Sequence, residues 1–177
     1  MIPERAVISE NESVPSCGPV PVVQHDPSRI VMDTRFGLME FSNEHAIYMP
    51  RGMMGFSDNK KFGLAQIPDP RMESFLFLQS LMEPELSFIL MPMDPNGELI
   101  EKRDIEAVRE SLSIEPQDLA VLSVVSIRNV GGSTQVSINL RAPVFIDVGN
   151  RSAWQHVLSN GRYPIRYILE TVQNASS

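Results

Sequence analysis

FLFLQSLMEPELSFILM, residues 75–91, is the stretch on which the fold turns. Its two runs, FLFLQS (75–80) and LSFILM (86–91), are apolar at both alternating positions. A strand with one wet face alternates apolar and polar residues. A strand covered on both faces does not. These runs therefore read as central strands, or as strands sealed on the second side.

Upstream, short apolar runs at 30–35, 38–42, 46–49 and 62–67 each end at Gly, Pro, Asn or Asp, the pattern of a meandering antiparallel sheet. Downstream, EKRDIEAVRESL (101–112) carries Ile105, Val108 and Leu112 at helical spacing with charges between them, which predicts an amphipathic helix. Pro116 suits the start of one more helical turn. The chain then returns to strands. LAVLSVVSI (119–127) and TQVSINL (134–140) flank VGGS, a hairpin turn of the Gly-Gly kind. PVFIDV (143–148), SAWQHVL (152–158) and PIRYIL (164–169) complete the set. The fold class is mostly β: an antiparallel β-barrel-like single domain with one or two short helices. Closure would remove the exposed edges that so many strands otherwise leave.

Residues 1–29 read as a disordered or extended N-terminal tail, residues 30–170 as the barrel domain and 171–177 as a flexible C-terminus. In VPSCGPVPVV (14–23) the prolines interrupt any helical or strand period. Such a segment buries too little to offset its ordering entropy, unless it docks as an extended peptide.

Composition narrows the function. With 22 acidic and 15 basic residues the net charge is -7, which disfavours direct nucleic-acid binding and suits a basic protein partner. The single cysteine, Cys17, cannot form an internal disulfide, so a reducing, cytoplasmic setting is expected. No stretch approaches a membrane span, and MIPERAVISENE has no apolar signal region.

No residue set points to catalysis. His25, His45 and His156 lack metal-ligand spacing, and His45 beside Glu44 reads as a surface pair. No Gly-x-Ser-x-Gly elbow is present, and Cys17 has no anchored cation beside it. RGMMGF (51–56) lacks the P-loop lysine and reads as a tight connection, with Met53 and Met54 packed beneath it or forming an adaptable apolar contact. Arg162 and Arg166 form an RxxxR pair similar to the opening motif of cyclic-dinucleotide-binding PilZ barrels. The Asp-x-Ser-x-x-Gly element of those barrels is missing downstream. A cyclic-dinucleotide-sensing barrel is the alternative reading. No enzyme activity and no cofactor are expected.

Charge is unevenly placed. Residues 83–118 hold ten acids and three bases, a net of -7, while residues 119–177 sum to +3. Such a segment is either a solvated helix with its loops or an acidic face for a basic partner.

TRFGLMEFS (34–42), IYMPRGMMGF (47–56), FLFLQSLMEPELSFIL (75–90), QDLAVLSVVSI (117–127), INLRAPVFID (138–147) and YPIR (163–166) stand in an order and spacing that resembles the flagellar assembly factor FliW family, over residues 30–169. The resemblance implies a barrel-like fold and a non-enzymatic regulator that is monomeric when free. It also implies two mutually exclusive protein partners: flagellin and the RNA-binding translational repressor CsrA. Release from exported flagellin would free the regulator to inhibit CsrA and let flagellin be translated. The family's aromatic-rich stretch after the strand at 86–92 is replaced here by PMDPNGELIEKRDI. In this reading Glu83, Glu85, Asp94, Glu98 and Glu101 contribute an acidic face that opposes RNA on CsrA. Met53, Met54 and Phe56 contribute part of an apolar groove for an amphipathic helix of flagellin.

Overall fold

A computed structural model describes residues 28–173. The tail expected over 1–29 lies outside them up to residue 27, with Cys17 and His25, as do residues 174–177. The strands are β1 (Arg29–Thr34), β2 (Gly37–Ser42), β3 (Ile47–Tyr48), β4 (Lys61–Gln66), β5 (Leu76–Ser80) and β6 (Ser87–Met93). After the helix α1 (Lys102–Ser111) come β7 (Leu119–Val130), β8 (Ser133–Ile138), β9 (Val144–Asp147), β10 (Ser152–Gln155) and β11 (Tyr167–Gln173). Each apolar run quoted above contains a strand, although 156–158 and 164–166 lie outside β10 and β11, and the helix lies where its period places it. A 3₁₀ turn at Pro116–Asp118 opens on the expected proline.

The longest strand, β7, organises the rest. Its first half pairs with β6 on one edge, Val124 opposite Leu90 and Val121 opposite Met93. Its other edge pairs with β9 over Leu119–Leu122 and then with β8 from Val125 to Val130. The circuit β7-β6-β5-β4-β3-β10-β9 thus returns to β7, while β8 and β11 leave it as a ribbon. One seam departs from the antiparallel expectation. β3 and β10 run parallel and meet at the single pair Tyr48–Ser152, so the barrel is joined loosely there. The β7–β8 turn has Gly131 at φ 55° and Gly132 at φ 80°, the left-handed pair that a two-residue type I′ hairpin requires.

Three apolar clusters hold these layers. Met49, Phe62, Leu78, Leu90, Leu122 and Ile146 fill the barrel interior. Ile105 and Val108 of α1 pack on Val121, Phe145 and Tyr163 outside the wall. On another outer face the β1–β2 hairpin brings Phe41 onto Ile67, Phe77 and Ile89. Gly63 makes that approach possible: a Cβ there would stand 2.3 Å from Phe41 Cδ1. The hairpin is the seal that the apolar-on-both-faces pattern of β5 demands. Leu78 faces the interior cluster and Phe77 the hairpin cluster, both essentially inaccessible to solvent.

Phe77 lies edge-on to Phe36 at 5.0 Å between ring centroids. Phe77→Ala is expected to cost about 3–5 kcal/mol, as large core truncations do. Phe88 is only half-buried, so Phe88→Ala should cost less. Urea unfolding of the two variants checks this order; equal losses would show that the hairpin does not seal the β5 face.

Candidate protein-interaction surfaces

Strand directions give the barrel two ends. At one end the 49–60 connection meets the β5–β6 turn. Gly52 stands at φ 63°, and a Cβ on it would sit 2.4 Å from the Phe56 carbonyl oxygen, so the connection coils tightly on itself. Phe56 donates its backbone N–H to Met53, and Met54 donates its own to the Gln155 side chain at 2.9 Å. This coil drives Met53 into the core at 1% exposure and leaves Met54 and Phe56 at 48% and 42%. Met53 is therefore a packing residue, not a surface contact, because its side chain fills the interior.

The facing turn is shaped by the Gln-Ser of FLFLQS. Buried Gln79 donates its side-chain amide to the carbonyls of Ser80, Pro84 and Leu86. The Ser80 hydroxyl donates to Asn59 at 2.6 Å and accepts from the backbone of Met82 and Glu83. Asn59 in turn donates to the Glu83 carboxylate at 3.0 Å, which ties the two loops together. The turn presents Met82 at 60% exposure between Leu81 and Glu83. Sequence reasoning did not single out Met82. Its one signal was a large apolar residue just past the end of a strand.

The five acids do not form one face. Glu83 and Glu85 precede β6, whereas Asp94, Glu98 and Glu101 follow it. Seven strand residues separate the two groups by roughly 20 Å, well beyond the screening length of about 8 Å at physiological ionic strength. Glu101 is also neutralised, pairing with Arg103 at 2.6 Å and with Arg162. Asp94 closes a turn by accepting from Asn96 N–H at 2.8 Å. Glu83 and Glu85 instead share an end of the barrel with Met54, Phe56 and Met82.

The opposite end opens into a cavity of about 850 Å³. Ile47, Leu64, Leu76, Met93, Leu122 and Ile146 are among the side chains that line it, with His45, Pro95, Val148 and Arg151 at its mouth. His45 thus sits at a cavity rim rather than on a featureless surface. His156 lies edge-on to Phe145 at 6.3 Å, a packed histidine. Among the described residues no cluster of His, Cys, Asp and Glu is arranged to hold a metal, and no helix is long and apolar enough to cross a membrane.

Two other quoted phrases turn out to be joints. In NLRAP, the Asn139 side chain accepts from the backbone of Arg141 and Ala142, bending the chain from β8 toward β9. In YPIR, Tyr163 is buried against α1. Its hydroxyl donates to Asp104 at 2.6 Å and accepts the Glu101 backbone N–H at 3.0 Å. That hydroxyl hydrogen bond is the main reason the Asp104 carboxyl lies below its ordinary range. Burial, helped by Asp104, pushes the Tyr163 phenol up. Arg162 pairs with Glu101 and lies 5.7 Å from the Tyr163 ring centroid. Of the arginine pair on which the cyclic-dinucleotide alternative rested, Arg162 thus already has a carboxylate partner.

Comparison with known proteins agrees with this architecture. A family profile described as FliW protein matches residues 30–169. A flagellar assembly factor FliW from Syntrophus aciditrophicus is 33% identical over 150 residues, covering 77% of this chain and 85% of that protein. One from Caldicellulosiruptor saccharolyticus is 30% identical over 141 residues, covering 79% and 90% respectively. A crystal structure of the flagellar assembly factor FliW is similar at a TM-score of 0.58 and 26% identity, over 80% of this chain and 96% of that one.

Tyr163→Phe removes a donor to a carboxylate and an acceptor at the start of α1. The expected loss is about 1–2 kcal/mol near neutral pH. Because the folded Asp104 carboxyl lies below its ordinary value of 3.8, its contribution is full above that value and is lost as pH falls through the folded pKa. The stability gap between wild type and variant should therefore narrow below about pH 3.8. Denaturant unfolding across pH 2.5–6, as an order-of-magnitude window around that titration, measures it; a gap independent of pH would show that the Asp104 carboxylate does not hold Tyr163.

Proposed function

The chain belongs to the FliW family, and from that premise we propose that this flagellar assembly factor works by binding flagellin and a CsrA-type repressor in turn, through the same end of its barrel. The observation that carries the reading is the grouping of Met54, Phe56 and Met82 with Glu83 and Glu85 on two tied loops. An amphipathic helix needs apolar anchors, which the two methionines and the phenylalanine supply, and methionine adapts to varied partners. A repressor that holds RNA must carry a basic surface, which the two carboxylates suit. Shared loops make the partners compete without any conformational relay. A bound protein with carboxylates at its edge also repels an approaching RNA backbone. Asp94 and Glu98, at the far end, have no part in this contact, and Glu101 is already paired.

Calorimetric titration of purified CsrA and flagellin against three double variants tests the arrangement. Glu83→Gln with Glu85→Gln should weaken CsrA binding, most at low salt, and leave flagellin binding nearly intact. Phe56→Ser with Met82→Ser should weaken flagellin binding with little dependence on salt. Asp94→Asn with Glu98→Gln should change neither. If the last pair weakens CsrA binding while the first does not, the repressor contacts the cavity end and the shared-end reading is wrong.

A further inference from the structure

The cavity at the other end of the barrel remains without an assigned occupant. At about 850 Å³ it lies within the range of roughly 300–1,000 Å³ typical of sites that hold a ligand. Its walls are aliphatic, and Val148 at its mouth is 58% exposed. The described chain begins beside this mouth. Ser28 accepts the Asn43 backbone N–H at 2.6 Å, Arg29 pairs with Ser42, and His45, two residues past Asn43, is on the rim.

Immediately upstream is VPSCGPVPVV (14–23), with no charged residue from Ser13 to Gln24. Its valines and prolines match an aliphatic cavity. Proline-rich chain is already restricted toward an extended form, so seating it costs little further entropy. Ser28 lies five residue steps beyond Val23, a reach of at most about 17 Å at full extension. So short a tether holds the segment near the mouth at an effective concentration of order millimolar. The family match starts at residue 30, so this segment is an addition to the shared fold.

We propose that residues 14–23 seat in the barrel-mouth cavity of their own chain, as a built-in occupant that covers its apolar wall. Any partner reaching for that wall must first displace the segment. This inference does not depend on which partners bind the opposite end.

Cys17, the single cysteine, permits a direct test on the full chain. A nitroxide attached there should broaden the amide signals of Ala120, Val148 and Gly149 several-fold more than those of Met54, Met82 and Arg128. Nitroxide-bearing protein without isotope label, mixed with isotope-labelled Cys17→Ser protein, should not broaden them. Val20→Asp with Val22→Asp should reduce the broadening several-fold, to what the tether alone gives. Without any nitroxide, the same double variant should shift the cavity amides and leave Met54 and Met82 unchanged. Broadening spread evenly, broadening undiminished in the double variant, or unchanged cavity amides in the label-free comparison would overturn the proposal. Broadening in the mixed sample would assign the occupant to a second copy and overturn it equally.

Discussion

Strand β7 gives one edge to β6 and divides the other between β9 and β8. Both edges must be satisfied, because backbone groups buried without partners are costly. The first half of β7 can meet that demand only if the sheet curls round until β9 returns to it, which makes the barrel. The second half takes β8, and with it β11, as a ribbon that stands off the ring. The change of partner happens at Asn139, whose backbone N–H still donates to Val124 and whose side chain caps the amides of Arg141 and Ala142. Ring, ribbon and the corner between them are one consequence of a strand with two partners on one side.

Within the segments that carried the family resemblance, several polar residues are joints. Gln79 and Ser80 shape the β5–β6 turn, Asn139 turns the β8–β9 corner, and Tyr163 clamps the chain to the start of α1. Each buries polar atoms that find specific backbone partners, so each tolerates few replacements. Met82, which they position, is exposed, while Glu83 beside it keeps its carboxylate bonded to Asn59. The same segments thus hold both the joints and the exposed residues that the joints present.

Charge counted along the chain misled for a related reason. Ten acids in residues 83–118 suggested one acidic face, yet strand β6 runs through the early part of that segment and carries Glu83 and Glu85 to the opposite end of the barrel from Asp94 and Glu98. Folding then cancels part of the charge, as Glu101 does with Arg103 and Arg162. Net charge over a window has spatial meaning only where the window is compact.

Strand and helix positions were legible in the sequence because they follow from local periodicity. Apolar residues on both faces of 75–80 announced a second cover, Gly131-Gly132 announced a tight hairpin, and the spacing of Ile105, Val108 and Leu112 announced α1. What covers β5, which strand closes on β7, and whether Met53 or Met54 meets solvent were decided only by tertiary structure. Those outcomes depend on groups far apart in the chain: Phe41 against Gly63, Asp147 opposite Leu119, Gln155 holding the Met54 amide. Periodicity records which face of an element is apolar. It carries no information on what that face will meet, because the partner is chosen by the packing of the whole chain.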